Sequence, residues 1–153
     1  SDVCSSDLFS GEHSGIAQLM AAHDALTSDD QGAILALEKL EDSQISQKGI
    51  VEVGSIHATI ERLQSIKSLV EKPNLEDAPS NLGIVGRYIV PRSTIDLLPS
   101  VGASHGGEIR LIDALIEQLG SIPIHGLECT GIRLDKGTPE GYARAVQVLT
   151  ADL

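Results

Sequence analysis

Only three aromatic side chains, Phe9, Tyr88 and Tyr142, occur in 153 residues. A core of any size must therefore be assembled from Ile, Leu, Val and Ala. Such a core suits a buried sheet flanked by helices, where aliphatic side chains pack on both faces. The length allows one domain with a real core and is short for two. Apolar residues follow a helical rhythm over 14–27, through Ile16, Leu19, Met20, His23 and Leu26 with Ser14 as N-cap. The same rhythm returns over 93–98, over 108–118 with Gly120 as its stop, and over 139–151 behind a first-turn proline. Extended runs over 33–40, 50–53, 66–70, 82–90, 122–127 and 131–134 lie between them. Helices and strands interleave, which predicts α/β layering rather than an all-α or all-β domain.

The first eight residues, Ser1-Asp2-Val3-Cys4-Ser5-Ser6-Asp7-Leu8, have no apolar periodicity, no initiator Met and no signal-peptide layout. They read as a translated adapter scar, residues 1–8, set aside from fold reasoning. Residues 9–153 are then expected to be the C-terminal portion of a longer domain. The formal net charge of −11 repels nucleic-acid backbone, and stacking aromatics for single strands are lacking. No apolar run approaches the ~20 residues of a membrane-spanning helix. With Cys4 in the scar, Cys129 stands alone and cannot form an internal bridge, so a cytoplasmic setting is expected. The five histidines show no paired metal-ligand spacing, and no nucleophile elbow appears.

Chemistry concentrates in Val70-Glu71-Lys72-Pro73, followed six residues later by Ser80-Asn81-Leu82-Gly83-Ile84-Val85-Gly86-Arg87-Tyr88. A Glu-Lys-Pro at a strand end offers a carboxylate for sugar hydroxyls beside an ammonium for a phosphate. The strand that follows carries glycines where a ligand could approach the backbone. The alternative for Glu71 and Lys72 is an exposed ion pair worth ~0–1 kcal/mol. A second element, Arg133-Leu134-Asp135-Lys136-Gly137-Thr138-Pro139, places an Asp after a strand and a turn before a helix. There Asp135 and Thr138 could simply cap that helix.

Together these segments resemble the UTP–glucose-1-phosphate uridylyltransferase family of bacterial sugar nucleotidyltransferases. Gly106-Gly107-Glu108-Ile109-Arg110-Leu111-Ile112-Asp113-Ala114 is similar to the family's Gly-Glu-Ile-Gln-Leu-Thr-Asp-Ala, with Arg110 and Ile112 in place of Gln and Thr. Gln47-Lys48-Gly49-Ile50-Val51 is similar to its Tyr-Gly-Val-Val, with Lys48 for Tyr. The resemblance covers residues 9–153 and is strongest from residue 69 onward. It implies a doubly wound nucleotidyltransferase fold with a mixed sheet. It also implies synthesis of UDP-glucose and pyrophosphate from UTP and glucose 1-phosphate, with Mg²⁺, in a cytoplasmic homo-oligomer.

The site residues it implies are Gly49, Glu71, Lys72 and Ile84 for the sugar phosphate, with Lys72 catalytic and Asp135 holding the metal. Leu134 and Lys136 depart from the family's pattern around that Asp. The family's Gly-x-Gly-Thr-Arg loop and following Pro-Lys are absent from these 153 residues. Its first metal-binding Asp falls where the scar supplies Ser6 and Asp7, and Asp7 is not credited with that role. The chain alone is expected to be inactive. The alternatives are a dTTP-dependent sugar-phosphate nucleotidylyltransferase and a non-catalytic sugar-nucleotide-binding relative.

Overall fold

The computed structural model describes residues 8–10, 14–102, 110–134 and 139–150. Helix α1 (Gly15–Ala25) begins where the Ser14 cap predicts: the Ser14 Oγ accepts the Ala17 N–H at 3.3 Å. Strand β2 (Ala33–Lys39) is buried from Ala33 through Leu37. It lies between two partners, β5 (Leu82–Ile89), antiparallel, and β6 (Ile124–Glu128), parallel, and is apolar on both faces because each face packs into a core.

The twofold alternation of a strand sends its side chains into two separate cores. Leu35 and Leu37 pack with Val51, Ile66, Ile84 and with Leu115 of helix α4 (Leu111–Gln118). Ile34 and Ala36 pack with Leu19 and Ala22 of α1, and with Val85 and Leu127. Helices thus cover both faces of a mixed sheet, the α/β layering that the interleaved sequence predicts.

Strands β3 (Gly49–Ile56) and β4 (Leu63–Glu71) form a hairpin. Both outrun the apolar segments 50–53 and 66–70, because their polar ends continue the backbone ladder beyond the core. At the turn, the His57 N–H donates to the Leu63 carbonyl at 2.7 Å. The start of β4 swings onto β6, where Leu63, Gln64 and Ser65 face Leu127, Gly126 and His125. β3 meets β5 at Ile50 and Gly83. The five strands therefore close in the order β2-β5-β3-β4-β6, and closure leaves none of them a free edge. Gly83 sits at a close approach, since a Cβ there would lie 2.3 Å from Leu40 Cδ1. That glycine serves packing.

Strand β1 (Leu8–Ser10) pairs with β7 (Ile132–Leu134) in a separate ladder, and α5 (Pro139–Thr150) follows. Two short helices, α2 (Asp42–Ile45) and α3 (Arg92–Leu97), complete the set. The buried Thr94 of α3 donates its hydroxyl to Gln118 Oε1 of α4 at 2.6 Å. α4 itself starts at Leu111 rather than at residue 108. Arg110 is extended (φ −116°, ψ 148°) and serves as its N-cap, while Glu108 lies outside the described residues. No described helix is long and apolar enough to cross a membrane.

Candidate functional site

The open ends of the β3–β4 hairpin gather the residues singled out in sequence. Gly49, the first residue of β3, is the cross-strand partner of Glu71, the last of β4. Ile84 of β5 stands beside them. A Cβ built on Gly49 would lie 3.1 Å from Glu71 Oε2, 3.3 Å from Ile84 Cδ1 and 2.7 Å from Ile112 Cδ1. Gly49 is thus the position at which a β-strand backbone comes up against a carboxylate and two aliphatic walls without a side chain of its own.

These residues line a cavity of about 290 Å³, close to the lower end of small-ligand pockets. Gly86, Tyr88 and Arg110 complete its wall. A bulge in the β2–β5 ladder, between the pairs Leu37–Ile84 and Leu35–Tyr88, shapes this wall. A Cβ on Gly86 would meet nothing within 4 Å. The two glycines of the Leu-Gly-Ile-Val-Gly run therefore divide the work: Gly83 packs and Gly86 opens onto the cavity. Ser80 supports the strand by donating to the Val51 carbonyl at 2.6 Å and accepting the Leu82 N–H at 2.9 Å.

Lys72 sits immediately after Glu71, in the left-handed region (φ 49°). For a residue with a Cβ this conformation costs roughly 1–2 kcal/mol. Its backbone N–H donates to the Lys48 carbonyl at 3.0 Å, and Pro73 behind it is buried. The Lys72 side chain is exposed, and its ammonium has no hydrogen-bond or ion-pair partner among the described residues. The simple exposed ion pair between Glu71 and Lys72 does not form. Glu71 instead accepts from Arg110 Nη1, at 2.9 Å. Lys48 lines the cavity and brings a cation to it, whereas Lys72 is not among the residues of its wall.

Arg110 was legible in sequence only as a departure from a pattern. Its approach to Glu71 spans 39 residues of chain, and no local spacing signals such a contact. Asp135 lies outside the described residues. Its predecessor Leu134 is buried at the end of β7, and a polar cleft near it is lined by Glu38, Arg133 and Arg144. Glu38 and Arg133 form an ion pair there. The described residues contain no cluster of three or more His, Cys, Asp or Glu able to hold a metal ion. They do not by themselves make up a metal site. Cys129, away from the cavity, is half-buried; burial pushes its thiol up to about 11 despite the opposing charge of Arg62.

No family model matches the chain. A UTP–glucose-1-phosphate uridylyltransferase of Komagataeibacter xylinus is 33% identical over 133 residues, covering 86% of this chain and 44% of that protein. One from Haemophilus influenzae is 37% identical over 101 residues, 66% of this chain and 34% of its own length. Among solved structures, a UDP-glucose pyrophosphorylase complexed with UDP-glucose superposes with a TM-score of 0.82 at 30% identity, over 96% of this chain and 54% of that one. A UTP-bound UGPase from Acinetobacter baumannii gives a TM-score of 0.77 at 26% identity, over 95% and 48%. The chain spans about half the length, or less, of the relatives it matches.

Proposed function

We propose that this chain, related in sequence and fold to the UTP–glucose-1-phosphate uridylyltransferases over about half of their length, carries the sugar-phosphate side of the same reaction. In that reaction a phosphate oxygen of glucose 1-phosphate bonds to the α-phosphorus of UTP. The bond from that phosphorus to the bridging oxygen breaks, pyrophosphate leaves with the electron pair, and UDP-glucose remains. Both reactants are anions, so positioning and charge neutralisation supply most of the rate.

Each residue has a part suited to its place. The Glu71 carboxylate accepts hydrogen bonds from sugar hydroxyls. Gly49, lacking a Cβ, lets the sugar reach the backbone, and Ile84 gives an apolar wall to the ring. Lys72 neutralises the sugar phosphate and is the catalytic cation. The observation that carries this reading is the junction of Gly49, Glu71 and Ile84 at one cavity, beside a strained lysine whose ammonium has no partner among the described residues. A lysine held in an unfavourable backbone conformation, without a side-chain contact among the described residues, suits a role toward an anionic ligand.

Mg²⁺ belongs to the same proposal, with Asp135 as one ligand; a hard cation would offset charge on the triphosphate. So does a cytoplasmic homo-oligomer as the working form. The test is calorimetric titration of the chain with glucose 1-phosphate. Saturable binding that Lys72→Ala weakens about tenfold or more, the scale of one lost charge-assisted contact, supports the reading. Equal affinity in the wild type and Lys72→Ala contradicts it.

A further inference from the structure

We propose that Arg110 is a positioning residue that fixes the carboxylate of Glu71 for the sugar, an inference that rests on the sugar-phosphate reading of this cavity. The Arg110 guanidinium occupies Oε1 of Glu71 at 2.9 Å, with both side chains only about a fifth exposed (22% and 20%). The other oxygen, Oε2, is the one that lies against Gly49, 3.1 Å from where a Cβ would sit. The ion pair therefore sets which carboxylate oxygen turns toward the glycine wall.

Arg110 also faces a second carboxylate. Its Nε lies 3.5 Å from Asp113 Oδ2, one turn into α4, an ion-pair approach in which the buried Nε–H makes no hydrogen bond among the described residues, and the Asp113 side chain is 13% exposed. The planar fork of a guanidinium can engage two carboxylates in fixed directions, which a lysine ammonium on its flexible stem does not do. Glu71 ends a strand and is followed by the backbone turn at Lys72. An unheld Glu there would have several rotamers to lose on binding, a cost that prior ordering removes. The extended N-cap conformation of Arg110 brings the start of α4 and the end of β4 together at this point.

The experiment is a double-mutant cycle on this chain, read by calorimetry with glucose 1-phosphate and separately with inorganic phosphate. Arg110→Met is expected to weaken glucose 1-phosphate about tenfold, within the range of coupling between contacting residues, and to leave inorganic phosphate unchanged. Arg110→Lys should recover part of the loss and, if Arg110→Met fails to fold, serves as the deciding variant through a smaller loss of the same selectivity. In a Glu71→Gln background, Arg110→Met should add nothing further. Additive losses, or equal losses for both ligands, would overturn the positioning role. Normal glucose 1-phosphate affinity in Arg110→Met alongside a loss in Glu71→Gln would overturn it while leaving the site assignment standing. An unchanged affinity in Glu71→Gln, or no binding by the wild type, would remove the site assignment and this role with it.

Discussion

Strand β4 is bracketed by two basic residues in the same strained conformation, Arg62 before it (φ 66°) and Lys72 after it (φ 49°). At Arg62 the strain is offset inside the fold. Its guanidinium donates to the Glu128 carbonyl at 2.7 Å and to Gln18 Oε1 at 3.4 Å, and its own carbonyl accepts the Glu128 N–H at 3.1 Å. At Lys72 only the backbone is engaged, through Lys48, and the ammonium stays without a partner among the described residues. Two similar backbone costs thus have different compensation. One end of the strand is a structural knot between α1, β4 and β6; at the other, no described residue pairs with the charge. Strain compensated by internal contacts speaks for architecture, and strain left uncompensated speaks for a ligand.

The contrast breaks most directly at Gly49. Gly49→Ala should reduce glucose 1-phosphate affinity by about 10- to 100-fold, the binding equivalent of the ~1–3 kcal/mol that an extra methyl costs against packed walls. The cost in stability should stay within the same range, about 1–3 kcal/mol for overpacking, because the closest atom met is the flexible tip of Ile112. Titration and urea unfolding of the same sample measure both.

At the other end of β4 the expectation reverses. Gln18 donates to the Thr130 carbonyl at 2.8 Å and accepts the Thr130 N–H at 2.9 Å. Gln18→Ala should cost about 1–3 kcal/mol of stability by leaving those groups unpaired, with no change in glucose 1-phosphate affinity. A loss of affinity there would mean that the two ends are coupled.

Glycine substitution sharpens the comparison in a single pair. Lys72→Gly should raise stability by about 0.5–1 kcal/mol, since release of left-handed strain exceeds the entropy that glycine adds to the unfolded chain. It should weaken phosphate binding at the same time. Arg62→Gly gains the same release but forfeits the two hydrogen bonds of its guanidinium, to the Glu128 carbonyl and to Gln18, and should be net destabilising. Chemical denaturation of the pair checks the two signs.

A further expected effect concerns Cys129, beside the structural knot. Its thiol is held neutral to about 11 by burial, against an ordinary value of 9.0. A raised value favours the protonated folded state, so this contribution is complete below about pH 9 and fades as pH rises toward 11. Stability measured across that interval should fall less steeply in Cys129→Ala than in the wild type.

Much of the layering is legible along the chain, because local patterns carry it. The aliphatic blocks mark β2 and β5, Ser14 marks the start of α1, and the Glu-Lys-Pro marks the end of β4. Closure of the five strands is not legible. It depends on β6 pairing parallel with β2 and on the polar start of β4 reaching β6, contacts between segments far apart in sequence. The start of α4 is misplaced by three residues for a similar reason: apolar periodicity continues through Ile109, whereas Arg110 is drawn into an extended conformation toward Glu71 and Asp113. Of the site, Gly49, Glu71 and Ile84 meet as their motifs suggest. The alternative of an exposed Glu71–Lys72 ion pair does not hold, since Arg110 takes the carboxylate. Gly83 and Gly86 look equivalent in sequence, and only the neighbours of each backbone separate packing from opening.

The most direct measurement is an amide-resolved NMR titration of the ¹⁵N-labelled chain with glucose 1-phosphate. Saturable shifts at Gly49, Glu71, Lys72 and Gly86, with Gln18, Arg62 and Thr130 unmoved, are the predicted result. Shifts centred on the Gln18–Arg62–Thr130 end, or none at Gly49 and Lys72 at saturating ligand, would contradict the assignment of the sugar-phosphate site to this end of β4.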